Sequence, residues 1–201
     1  MNHVIIASGP PGAGKSAVSE ALCERFDRML HVEVDQLRHW VKAGYRHPWV
    51  ADHQAEEQLL MAVRNACAIA RESTAMRYAV VIDDVVLPRQ AGWYREALAR
   101  VGVPVHLVTL LPDLETTLAR DAGRGGSIRE RARALHAELA AAVADGTLPG
   151  AVLDTSDDVN AQASADRVQD LVATGAALLL DVPITPASQG ESGSSPAAVR
   201  E

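Results

Sequence analysis

The sequence predicts an α/β fold in which five parallel strands alternate with helices that cover both faces of the sheet. Three observations predict it. Short β-branched runs alternate with longer stretches of helical periodicity. A loop rich in glycine and proline ends the first run at Ser8 and leads to a lysine and a serine where a helix should begin. Carboxylates stand at the ends of later runs, at the edge where a parallel sheet gathers its ligands.

Taken in order, HVIIAS (3–8) reads as the first strand, and the helix after the glycine-rich loop runs from Lys15 to about Asp27. MLHVEV (29–34) is the second strand, followed at Asp35 by a short helix, QLRHWVKAG. The loop YRHPWVAD leads into a long helix from about His53 to Met76, with Leu59, Leu60, Val63, Cys67 and Ile69 near helical spacing. YAVVIDDVVL (78–87) is the most apolar run and is expected at the sheet centre, because continuous apolar runs mark strands covered on both faces. Pro88 opens a helix to about Val101, and VPVHLVTLL (103–111) is the fourth strand. DLETTLARDAG and SIRERARALHAELAAAVADG (127–146) are helices, the second started by Ser127 and Glu130 spaced as a capping box. GAVLDTS (150–156) is the fifth strand, and a last helix ends near Leu180. One domain, 1–182, is expected, with 183–201 a disordered tail rich in Pro, Ser and Gly.

At 201 residues, 48 % hydrophobic and 22 % charged, the chain is large enough for a real core. A net charge of −7 gives no global attraction to phosphate backbones, so nucleic acid is a disfavoured partner, and so is a membrane surface. Cys23 and Cys67 fall inside predicted helices and read as reduced thiols. The N-terminus carries no basic leader pattern, and no apolar run approaches the ~20 residues needed to span a bilayer. A cytoplasmic protein is expected; a homo-oligomer stays open.

Gly9, Pro10, Pro11, Gly12, Ala13, Gly14, Lys15 and Ser16 satisfy G-x-x-x-x-G-K-[ST], the phosphate-binding loop, and Ala17 continues into its helix. The glycines let successive backbone N–H groups turn inward, so the loop becomes an anion nest at a helix N-terminus. Lys15 is placed to reach the β- and γ-phosphates, and the Ser16 hydroxyl to ligate Mg²⁺. A guanine-reading motif is absent from the sequence, which favours ATP while leaving GTP open.

Asp35 has two readings, N-cap of the short helix or base that takes the proton of a substrate hydroxyl as it attacks the γ-phosphate. The second is preferred because the neighbouring position on the rim of the sheet is the phosphate loop. Arg38, one turn on, orients the substrate or the phosphoryl group, or is simply a solvated helix arginine. Asp83 and Asp84 end the third strand, and side-by-side buried carboxylates need a cation nearby. Adjacent strand residues face opposite ways. Asp83 is therefore assigned to the metal and Asp84 to the substrate.

The segment LARDAGRGGSIRERAR (about 120–133) reads as an arginine-rich lid hinged on glycines. Arg120 and Arg124 are expected on phosphate or adenine; Arg129, Arg131 and Arg133 read as a solvated face. Thr155 and Ser156 are placed at the border of the base. His39, Trp40, His47 and Trp49 either line an acceptor pocket or, for the tryptophans, pack in the core.

With these residues located, the chain resembles the small P-loop kinases that include chloramphenicol phosphotransferase and the polynucleotide 5′-hydroxyl kinases. VIIASGPPGAGKS, VEVDQLR and VVIDDVVL followed by a Trp-bearing helix carry the resemblance. It implies strand order 2-3-1-4-5, a lid after the fourth strand, Asp35 activating the acceptor hydroxyl, Lys15 and Ser16 on phosphates and Mg²⁺, and lid arginines on the nucleotide. Residues 39–52 depart from both relatives, so the acceptor does not carry over. The leading expectation is an ATP-dependent O-phosphotransferase for a small hydroxylated molecule, with an antibiotic as one candidate. The alternatives are a 5′-hydroxyl kinase for nucleic acid or nucleoside, and a non-catalytic nucleotide-binding switch.

Overall fold

The computed structural model describes residues 2–123 and 128–181. Its first strand, β1 (Val4–Ser8), is buried along its whole length. β2 (Met29–Glu33), β3 (Ala79–Asp83), β4 (Val105–Leu110), β5 (Ala151–Leu153) and β6 (Leu178–Leu180) complete a sheet of order β2-β3-β1-β4-β5, with β6 paired to β4. Every pairing on the main path is parallel, as alternation with helices requires. The strand expected at the centre, β3, lies one place off it; β1 is the middle strand, between β3 and β4.

The helices are α1 (Lys15–Cys23), α2 (Val34–Arg38), α3 (His53–Ala75), α4 (Pro88–Leu98), α5 (Leu114–Ala122), α6 (Arg129–Ala144) and α7 (Ala161–Ala173). Because side chains alternate along a strand, the sheet feeds two cores. Val4, Ile6, Val80 and Ile82 pack with Val63, Cys67 and Tyr94 of α3 and α4. Ile5, Ala7, Val81 and Val108 pack with Val18 and Leu22 of α1 and Val168 of α7. Burial pushes the Cys67 thiol up to about 12, so it behaves as a small apolar side chain.

Three expectations are corrected. The final helix does not reach Leu180. It stops at Ala173, Gly175 takes a φ of 74°, and Leu178–Leu180 becomes the antiparallel strand β6. β5 and β6 divide one edge of β4, β5 along Val108–Leu110 and β6 along Val105 and His106, which is why each is three residues long. The helix after Asp35 is only five residues, with Glu33 at its N-cap and Asp35 in its first turn, so Asp35 is not the cap. The N-cap of α6 is Ile128, with no side-chain cap; Ser127 lies outside the described residues.

Candidate active site

The connection from β1 to α1 explains the small residues. Gly9 and Gly12 both adopt positive φ, and each is pressed against a neighbouring backbone. A Cβ on Gly9 would stand 2.4 Å from the carbonyl oxygen of Leu110 at the end of β4. On Gly12 it would stand 2.2 Å from that of Thr117 in α5. The loop is therefore clamped between β4 and α5 at a distance only glycine permits. Gly14 caps α1 in the left-handed conformation and supplies no side chain, which leaves the first N–H groups of α1 without a side-chain partner. That is the condition for receiving an anion. Lys15 Nζ donates to the carbonyl of Pro10 at 3.3 Å, folding its ammonium back over the loop.

The two carboxylates at the end of β3, Asp83 and Asp84, turn to opposite sides. Asp83 Oδ2 accepts from Ser16 Oγ at 2.6 Å, so two groups 67 positions apart meet in one contact. His31 Nε2 lies 3.7 Å away, from β2. Burial alone would push the Asp83 carboxyl up; His31, Lys15 and Ser16 outweigh it and hold the group below the usual carboxylate range. An ionised carboxylate beside a serine hydroxyl is a hard oxygen donor set, which fits Mg²⁺ completed by water and phosphate oxygens.

Asp84 faces α4 instead. Its Oδ2 accepts from the Tyr94 hydroxyl at 2.9 Å and its Oδ1 from the Val85 N–H at 2.8 Å. Burial raises its carboxyl above the usual value, against the opposing pull of the Arg38 guanidinium, Tyr94 and Lys15. Arg38 also donates to Asp35 Oδ1. Arg38 is mostly buried and Asp35 is 66 % exposed, so the pair places a solvent-facing carboxylate on a fixed cation. Two carboxylates thus share one guanidinium, with the ammonium of Lys15 close enough to act on Asp83 and Asp84.

The remaining predicted residues divide. Arg120 donates to the carbonyl of Thr155 at 3.0 Å and ties α5 to the loop after β5. Thr155 is buried and Ser156 accepts from the Asp113 N–H at 2.8 Å, so both brace that loop. Arg124 lies outside the described residues. Asp121 Oδ2 accepts from the Ile128 N–H at 3.2 Å. Trp40 and Trp49 are 66 % and 51 % exposed, which removes the core-packing reading of both. His39, Tyr45, His47 and Trp49 form a row of rings with centroids 5.6, 5.1 and 4.4 Å apart, the last pair stacked. It leaves α2 beside Asp35 and runs toward the start of α3.

Sequence reasoning missed His31 and Tyr94. His31 is legible in retrospect: it pairs with Val81, two residues before Asp83 on the same face of the sheet. Tyr94 carries no such signal, because only the packing of α4 brings its hydroxyl to Asp84.

A phosphate-loop motif at the end of β1, a serine–aspartate pair beneath it and an acid–arginine pair in the helix after β2 define a P-loop domain. Residues 4–149 match the AAA_33 family, described as an AAA domain, and the chain belongs to that family. Among solved structures it is similar to the tunicamycin resistance protein of Deinococcus radiodurans, with a TM-score of 0.61 and 19 % identity over 89 % of this chain and 98 % of that one. Shikimate kinase from Acinetobacter baumannii in complex with shikimate matches with a TM-score of 0.56 and 19 % identity over 87 % and 94 %. Mycobacterium tuberculosis APS kinase CysC in complex with AMPPNP and APS matches with a TM-score of 0.59 and 17 % identity over 86 % and 98 %. At these identities the likeness is one of fold. A tRNA dimethylallyltransferase from Anaeromyxobacter is 27 % identical over 147 residues, 70 % of this chain; the chain spans about half the length of that relative, 48 %. Among the described residues, no helix is long and apolar enough to cross a membrane.

Proposed function

We propose that this chain is an ATP-dependent O-phosphotransferase that moves the γ-phosphate to a hydroxyl of a small molecule, with antibiotics among the candidate acceptors. The observation that carries the reading is the 2.6 Å contact of Ser16 with Asp83 directly beneath the phosphate loop, one strand away from the Asp35–Arg38 pair.

The reading assigns each residue a task. The N–H groups of Gly12 to Ser16 receive the phosphates, and Lys15 swings from Pro10 to the transferring group. Ser16 and Asp83 hold Mg²⁺, which when bound neutralises charge on the phosphates. Asp35 accepts the proton of the attacking hydroxyl, and Arg38 fixes the orientation of its carboxylate. Asp84, kept in place by Tyr94 and the Val85 N–H, accepts a hydrogen bond from the acceptor. Arg120 and Arg124 belong to the lid over the nucleotide. The proposal extends to residues 1–182 as the catalytic unit.

The test is ADP release by the purified protein over a panel of hydroxylated metabolites and antibiotics, with ATP and with GTP. Acceptor-stimulated release, with a phosphate monoester identified by ³¹P NMR, is the expected result. Binding of Mg–ATP with no stimulation by any alcohol would turn the reading toward a nucleotide-binding switch.

A further inference from the structure

Resting on that kinase reading, we propose that the acceptor is an alcohol carrying no anionic group, held between the starts of α3 and α4 with Gln90 receiving one of its O–H or N–H donors. A cavity of about 460 Å³ opens there, lined among others by Val50, Glu56, Arg89, Gln90 and Trp93. It belongs to the site by its position: α4 begins four residues after Asp84, and the same helix sends Tyr94 inward to Asp84. The row of rings ends at Trp49, one residue before Val50.

The charges around this cavity are already matched. Arg89 is ion-paired with Glu56 and lies over the Trp93 ring, 5.2 Å from its centroid. Asp52 is 3.6 Å from Arg46 while its other oxygen caps α3 by accepting from the Ala55 N–H. His53 stands 3.5 Å from Glu57. Among the described lining residues, Arg89 is the one permanent cation, and it is committed to Glu56. A phosphate, sulfate or carboxylate entering here would meet Asp52 and Glu56 without an uncommitted guanidinium or ammonium in the lining, and like charges at close range oppose binding. A neutral or cationic acceptor meets no such penalty. Gln90 is the polar group left over. Its Oε1 is buried with no hydrogen-bond partner among the described residues, and a turn of the amide toward the cavity would let a ligand donor satisfy it.

The experiment compares matched pairs as acceptors in the ADP-release assay: nucleoside against nucleoside monophosphate, sugar against sugar phosphate, hydroxy-ester against hydroxy-acid. The uncharged member should have the higher kcat/KM by at least tenfold. Glu56→Gln, which releases Arg89, should narrow that ratio by about tenfold. Gln90→Leu should raise the acceptor KM about tenfold with the ATP KM within twofold, and Gln90→Glu, which keeps the accepting oxygen, should restore most of the loss. Preference for the anionic member, or a ratio unmoved by Glu56→Gln, overturns the inference while leaving the kinase reading standing. If no alcohol stimulates release although Mg–ATP binds, the kinase reading itself has failed and this inference falls with it.

Discussion

The two sides of the candidate site are built on different principles. On the side proposed for the nucleotide, the loop from Gly9 to Ser16 is gripped by β4 and α5, and it offers backbone N–H groups whose positions are set by positive φ angles and close approach. The proposed acceptor side, from His39 to Glu56 and from Asp84 to Trp93, offers side chains instead, and its row of rings is largely exposed. The first arrangement suits a ligand common to many enzymes. The second is free to change, because replacing an exposed ring or a paired charge disturbs little of the fold.

Substitutions on the two sides should therefore fail differently. Gly12→Ala drives a methyl group into the Thr117 carbonyl at a φ of 86°. It should cost about 2 kcal/mol or more of stability and abolish ATP binding, read by thermal melting and nucleotide titration. Lys15→Ala should keep the melting temperature and lower kcat by about 10³–10⁵, the range for removing a cation from a transferring phosphoryl group. Asp35→Asn should lower kcat by about 10²–10⁴ with ATP affinity within about twofold, the signature of a lost base rather than a lost fold; a matching fall in ATP affinity would make Asp35 structural.

Asp84→Asn sharpens the contrast. Asparagine keeps an oxygen to accept from the Val85 N–H, its NH₂ can donate to the Tyr94 hydroxyl oxygen, and the charge that burial disfavours is removed. The melting temperature should hold or rise, and the acceptor KM should increase about tenfold, since one hydrogen bond to the acceptor is worth about 1.4 kcal/mol.

The smallest expected effect lies at the other end of the sheet. His3 packs edge-on against Phe26 and His106, and burial, aided by the positive charge of His106 and the N-terminus, lowers its pKa from 6.5 to about 4. Below pH 6.5 the unfolded chain takes up a proton that the folded chain refuses. The contribution of His3 is therefore complete above that pH and declines from 6.5 toward 4. Melts across this range should show the decline, and His3→Gln should lessen it, leaving the share of His106, whose pKa burial also lowers.

The same division governs what the sequence disclosed. The conformation of the phosphate-loop motif was legible because it is stored in residue types at fixed spacing, glycines where φ is positive and a lysine and serine at the helix start. Strand order, implied by resemblance to known kinases, is the order found. That Asp83 and Asp84 turn to opposite sides was legible because alternation along a strand sends neighbours to opposite faces. The missed features depend on distant contacts. Leu178–Leu180 reads as helix until the vacant edge of β4 makes it a strand; Gly175 was the local sign. Tyr94 meets Asp84, and Arg89 and Gln90 line a cavity with α3, only when α4 packs in place, which no spacing records.

The central claim is that the Gly9–Ser16 loop and the Asp35 carboxylate serve a single transferring phosphoryl group. A crystal structure with Mg²⁺ and a non-hydrolysable ATP analogue tests it most directly. The account predicts the triphosphate in the loop, the ion on Ser16 and Asp83, and Asp35 facing the terminal phosphorus across a gap the size of a hydroxyl. A triphosphate bound elsewhere, or Asp35 turned away from that phosphorus with the lid closed, would contradict it.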